Sequence, residues 1–199
     1  MKKSDKGGAL NAEVKRVQPS SFRPHPSPFI PHPSALIPYL VWAGTATLAL
    51  FFISLIVFAP LAQAHGYNSA AFVLYEMFGH VCHQIPGRAF HFEGQPFAVC
   101  ARCAGIYFGF AAGLLIYPFV RSLRRVDAPA RKWLMLAAVP TLLDFALGFF
   151  RILENTLWSR SMTGALLGVV AAFYVLPGLL DLGRIIFAPF LSEEIIAHE

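Results

Sequence analysis

The sequence predicts an all-α, polytopic membrane protein with about four transmembrane helices, a Cys/His-rich outer loop and a disordered N-terminal tail. Three observations predict it. The 199 residues are 56% hydrophobic and only 14% charged, whereas soluble chains carry roughly a quarter charged residues. The missing charge is concentrated in long uncharged runs rather than thinned evenly. The 16 basic residues, set against 11 acids, gather in the segments between those runs. The net charge of +5 therefore reports topology, with the lipid bilayer as partner, and gives no reason to expect nucleic acid.

Residues 1–34 read as a disordered basic tail. Pro24-His25-Pro26-Ser27 and Pro31-His32-Pro33-Ser34 form a near repeat, and closely spaced prolines remove helix donors and fix φ. The membrane domain follows over 35–192. No acid, lysine or arginine lies between Arg23 and Glu76, and 36–62 is almost continuously apolar. A helix rising about 1.5 Å per residue needs about 20 such residues to cross roughly 30 Å of hydrocarbon. Ala62-Gln63-Ala64 has the form of a signal-peptide cleavage site, but the apolar core is about twice the length of a signal h-region, so an uncleaved anchor is expected. Three further spans are predicted at 103–120, at 133–150 with Asp144 interrupting, and at 161–180. Residues 193–199 read as an acidic tail.

Orientation follows from the basic residues, which stay cytoplasmic in short connections. Lys2, Lys3, Lys6, Lys15, Arg16 and Arg23 precede the first span, and Arg121, Arg124, Arg125, Arg131 and Lys132 join the second to the third. An inner-membrane protein with both termini cytoplasmic and the 64–102 loop extracytoplasmic is expected. Arg88, Arg102, Arg151 and Arg160 are then the outer arginines.

Gly105, Gly109 and Gly113 on the second span, and Gly164, Gly168 and Ala172 on the fourth, recur at four-residue spacing. Each series lays down a groove on one helix face. Intrachain packing is the first reading, and a homo-oligomer seam or substrate path the second.

All the cysteines, Cys82, Cys100 and Cys103, fall in or beside the 64–102 segment, together with four of the seven histidines. Two chemistries fit. A Cys-x-x-Cys supplies two thiolates to a tetrahedral metal, and Cys82 with His83 completes a set suited to zinc or another transition metal. His80 is the substitute ligand, because successive side chains of an extended chain point opposite ways and His80 stands two residues from Cys82. Alternatively, Cys100 and Cys103 at a helix start beside Arg102 form a redox pair with Cys82 as transfer thiol, and a quinone or another redox partner is then implied. That reading has one feature of the quinone-linked disulfide-forming enzymes, which use a second cysteine pair that this chain lacks. A structural disulfide in a scaffold or small-solute carrier is the plainest reading.

Residues 68–83 are apolar enough for an interfacial helix, with Glu76, His80 and His83 on one face and Pro86-Gly87 turning the chain. Those three residues are also an alternative ligand set, although such a face is more often a helix's wet side. Asp144 is costly within a span and needs a partner. Arg151 lies two turns along the same helix, so Arg102 or Arg160 from a neighbouring helix is the better choice. Arg88, Arg102, Asp144, Arg151, Asn155 and Arg160 are expected to line one polar cavity beneath the cysteines, or to lock the bundle together. No nucleotide-binding glycine loop or Ser-His-acid pattern is present.

Cys82-His83-Gln84-x-Pro86-x-Arg88 followed by Cys100-x-Arg102-Cys103-x-Gly105-x-Tyr107-x-Gly109 resembles the signature of DUF2085, a domain of unknown function found in small prokaryotic membrane proteins. Pro140-x-x-x-Asp144, Asn155, Arg160 and Thr163-Gly164 resemble that family's second block. The resemblance covers 72–178 and implies no known reaction, cofactor or substrate. It adds weight to Cys82, His83, Cys100 and Cys103, with Arg88 and Arg102 beside them.

Overall fold

The structure is a computed structural model that describes residues 33–196, with side chains described over 36–187. The expected tail, but for its last two residues, lies outside them. Helix α1 runs Pro33–Ala64, α2 Asn68–Gly79, α3 Ala101–Val120, α4 Lys132–Phe149 and α5 Leu157–Ile196. Between α2 and α3 the chain makes one 3₁₀ turn, Pro86–Arg88, and a two-stranded hairpin of β1 His91–Phe92 and β2 Gln95–Pro96. Helices α1, α3, α4 and α5 are each long and apolar enough to cross a bilayer. The chain is a multi-pass membrane protein.

Helix α3 pairs with α5 along the two glycine stripes. A β-carbon on Gly105 or Gly109 would overlap the carbonyl of Ser161 or Ala165, and one on Gly164 or Gly168 would overlap the carbonyl of Arg102 or Ile106. The stripes thus face each other within one chain, and these faces are unavailable as a homo-oligomer seam while α3 and α5 remain paired. Helix α1 lies against both. Its Trp42 donates from Nε1 to the Leu114 carbonyl at 2.8 Å, and Ala46 joins Leu114, Tyr117, Ala172 and Leu176 in one buried cluster. At the other end of α1, Ile56 and Ala59 pack with Phe78, Cys82, Ala98, Val99 and Ala104. Ala62, in the cleavage-like motif, is buried too, so cutting after Ala64 would sever α1 from the cluster that holds Cys82.

Three expectations need correction. The fourth span continues well past Leu180 as helix, because bilayer thickness limits the apolar stretch and not the hydrogen-bonded helix. Asp181 is exposed on it, and Arg184 donates to the Arg124 carbonyl at 2.6 Å. The acidic tail from 193 accordingly begins as helix. Within the 64–102 loop the helix expected over 68–83 forms as α2 but stops at Gly79, and the unexpected element is the hairpin, in which Glu93 and Gly94, both at positive φ of 49° and 78°, make the tight turn that a two-residue connection requires.

Candidate functional site

Helix α2 ends at Gly79, and Cys82 sits just beyond it, buried. Gln84 fixes the chain on either side of this cysteine. Its backbone takes the left-handed conformation, φ 49°, and its Nε2 donates to the carbonyls of Tyr75 at 2.6 Å and Ala98 at 2.8 Å. One side chain therefore ties the last turns of α2 to the segment between β2 and Cys100. The Tyr75 hydroxyl donates to the Pro96 carbonyl on the same side.

Cys100 occupies the N-cap of α3 in an extended conformation, and Cys103 comes one turn later. The Cys100 amide donates to the Cys82 sulfur at 3.2 Å. All three sulfurs lie within 4.8 Å of one another. The hydrogen bond from the Cys103 thiol lowers the Cys100 thiol below its usual range against the opposing effect of burial, with the Cys103 amide, the Cys82 thiol and the Arg102 amide assisting. Among the described residues no histidine nitrogen or carboxylate oxygen joins the three sulfurs within that span. His83 does line the cavity over them, about 340 Å³ in volume, together with Arg88, Arg102 and Arg160. His80 does not line it; its Nδ1 lies 2.9 Å from the Glu76 carbonyl, and both side chains are exposed. Because α2 stops at Gly79, His83 does not continue the face of Glu76.

Asp144 of α4 forms an ion pair with Arg102 of α3. Ser159 Oγ of α5 donates to the other carboxylate oxygen at 2.9 Å, and the Asn155 amide donates to the Asp144 backbone carbonyl. Phe145 places its ring 5.7 Å from the Arg102 guanidinium. The single cavity expected around Asp144 is instead two. The second, of about 500 Å³, is lined by Arg88, Arg151, Asn155 and Arg160, with Glu154 and Gly148. Asp144 lines neither, because its oxygens are taken up in joining three helices.

Residues 82–174 match the family described as "Predicted membrane protein (DUF2085)". An uncharacterised protein of Methanocaldococcus jannaschii is 33% identical over 132 residues, covering 64% of this chain and 85% of the relative. The chain belongs to DUF2085. An uncharacterised protein of Methanothermobacter thermautotrophicus is 35% identical over 95 residues, or 46% of this chain and 81% of the relative. No solved structure matches.

In this DUF2085 protein two positioning residues carry no signal of their role in the sequence. Gln84 stands in the signature without one, because its two acceptors are main-chain carbonyls and main-chain carbonyls leave no trace in residue type. Ser159, a common small polar residue near a helix start, gives no sign that it reaches a carboxylate on another helix.

Proposed function

We propose that this protein sits in the inner membrane with both termini cytoplasmic and holds a transition metal, zinc by ligand softness, on Cys82, Cys100 and Cys103 at the extracytoplasmic end. The gathering of three sulfurs within 4.8 Å from two separate parts of the chain carries this reading. A tetrahedral zinc with sulfurs at about 2.3 Å keeps those sulfurs about 3.8 Å apart, so little movement is needed. His83, on the wall of the same cavity, is the candidate fourth ligand. Arg88 and Arg160 on that wall offset part of the negative charge of three thiolates. The basic α3–α4 connection supports the orientation, since it lies at the end away from the cysteines.

Metal analysis of protein purified without chelators should find about one equivalent, falling sharply in Cys82→Ser and Cys103→Ser. Less than about a tenth of an equivalent in the wild-type protein, even after zinc is supplied, would sink the proposal.

The lowered thiol of Cys100 beside Cys103 at the start of α3 favours a second reading as a membrane thiol-disulfide oxidoreductase. There Cys100 and Cys103 lose two protons and two electrons on forming a disulfide, and a quinone taking them up becomes the quinol. Thiol trapping in cells should then show the pair switching state with quinone supply. A permanently oxidised pair would instead mark a staple in a scaffold or small-solute carrier.

A further inference from the structure

The cavity between the 3₁₀ turn and the α4–α5 connection is separate from the cysteine cavity, although Arg88 and Arg160 border both. Three arginines, Arg88, Arg151 and Arg160, line one volume of about 500 Å³. No carboxylate among the described residues lies within 4 Å of any of them; the ion pairs found are Arg102–Asp144 and Arg121–Asp127. Glu154 borders the cavity but pairs with none of the three, so the wall keeps a surplus of positive charge.

Topology does not explain this surplus. Basic residues in a multi-pass chain collect at one side, and here that side is the α3–α4 connection, at the far end of the helices. Nor does local backbone preference. Arg151 holds a left-handed conformation, φ 56°, just past the end of α4, where glycine is the least costly residue; an arginine there is sterically unfavourable. Arg160 is oriented by its Nε, which donates to the Asn155 carbonyl at 3.4 Å. Its two Nη groups have no hydrogen-bond partner among the described residues, which leaves them available to an outside acceptor.

We propose that Arg88, Arg151 and Arg160 form a binding site for a phosphate-class oxyanion. Guanidinium groups bind such anions through paired N–H donors, and a cavity of this volume admits an oxyanion carried on an organic group. A soluble phosphate compound and a phospholipid headgroup share this chemistry. The site shares Arg88 and Arg160 with the wall over the cysteines and has Arg151 to itself, so the Arg151 variant is the one that separates it from the metal reading.

Isothermal titration of the detergent-purified protein as isolated, at constant ionic strength in chloride, tests it with two probes: inorganic phosphate and short-chain dioctanoyl phosphatidylglycerol. Saturable binding of either is expected, weakened about tenfold or more in Arg151→Gln and in Arg160→Gln and unchanged in Arg125→Gln at the other end. Partial retention in Arg151→Lys would fit loss of the paired donors with the charge kept. Binding of phosphate assigns a soluble ligand, whereas binding of the lipid probe alone assigns a headgroup. Failure of both probes to bind, or binding that is indifferent to Arg151→Gln and Arg160→Gln, overturns the proposal. Metal content is measured on the wild-type and variant proteins used, so loss of the oxyanion and loss of a metal are told apart.

Discussion

Helices α3 and α5 touch backbone to backbone, whereas α4 reaches its neighbours through polar side chains. Of the span in α3, 39% is buried inside the protein; of that in α4, only 6%. The first pair is held by shape. Lipid is as apolar as leucine, so close packing of small residues is what makes one helix prefer another over lipid. The second attachment uses directed bonds: Asp144 to Arg102 and Ser159, Asn155 to the Asp144 carbonyl, and Thr141 Oγ1 to the Thr163 carbonyl at 2.9 Å. Trp133, Met135, Leu136, Leu142, Leu143 and Phe149 of α4 are all exposed, as expected of a helix facing lipid. The contrast teaches that α4 is tied to α3 through Arg102, which also lines the cysteine cavity, so a change at that one residue can reach both.

The largest loss should come from the shape-held pair. Gly109→Leu drives a side chain into the Ala165 backbone and should cost about 3 kcal/mol or more, read as a lowered midpoint in detergent-denaturation titration. Gly44→Leu is the control, since nothing lies within 4 Å of a β-carbon there. Equal effects of the two substitutions would remove the distinction between α3–α5 and the rest.

A smaller effect is expected from the polar attachment. Asp144→Ala leaves Arg102 without its counter-charge and should cost about 2 kcal/mol, below the range for fully buried pairs because the Arg102 side chain keeps 18% exposure. The double variant Arg102→Leu with Asp144→Leu should recover most of it. Strict additivity of Arg102→Leu and Asp144→Leu would show that the pair does not act as a unit. Smallest of all, Thr141→Val should cost about 0.6 kcal/mol, the average for interhelical hydrogen bonds in membranes. A loss as large as that of Asp144→Ala would shift the weight of the α4 attachment toward the middle of the helix.

The spans were legible because hydropathy is a property of each segment alone. The starts of α1, α3 and α4 lie within a few residues of where apolar composition places them, and the far end of α5 does not, because that helix outlasts its apolar stretch. The glycine stripes were legible as grooves, and their intrachain partner became certain only when Gly105 and Gly109 met Ser161 and Ala165. The clustering of Cys82, Cys100 and Cys103 was visible from spacing, but their approach depends on Gln84 reaching two main-chain carbonyls. The hairpin was missed because its strands are two residues each, too short for alternation to register.

The sequence by itself determined that this protein crosses a membrane several times and that Arg88, Arg102, Arg151 and Arg160 share one end with all its cysteines. Both follow from the cost of placing each residue in hydrocarbon, a sum over single residues. Only the tertiary structure decided that Asp144 goes to Arg102 rather than to Arg160, that the polar residues border two cavities rather than one, and that Arg151 lines only the second. Those are choices among partners many residues apart, and they are settled by which helices can approach closely.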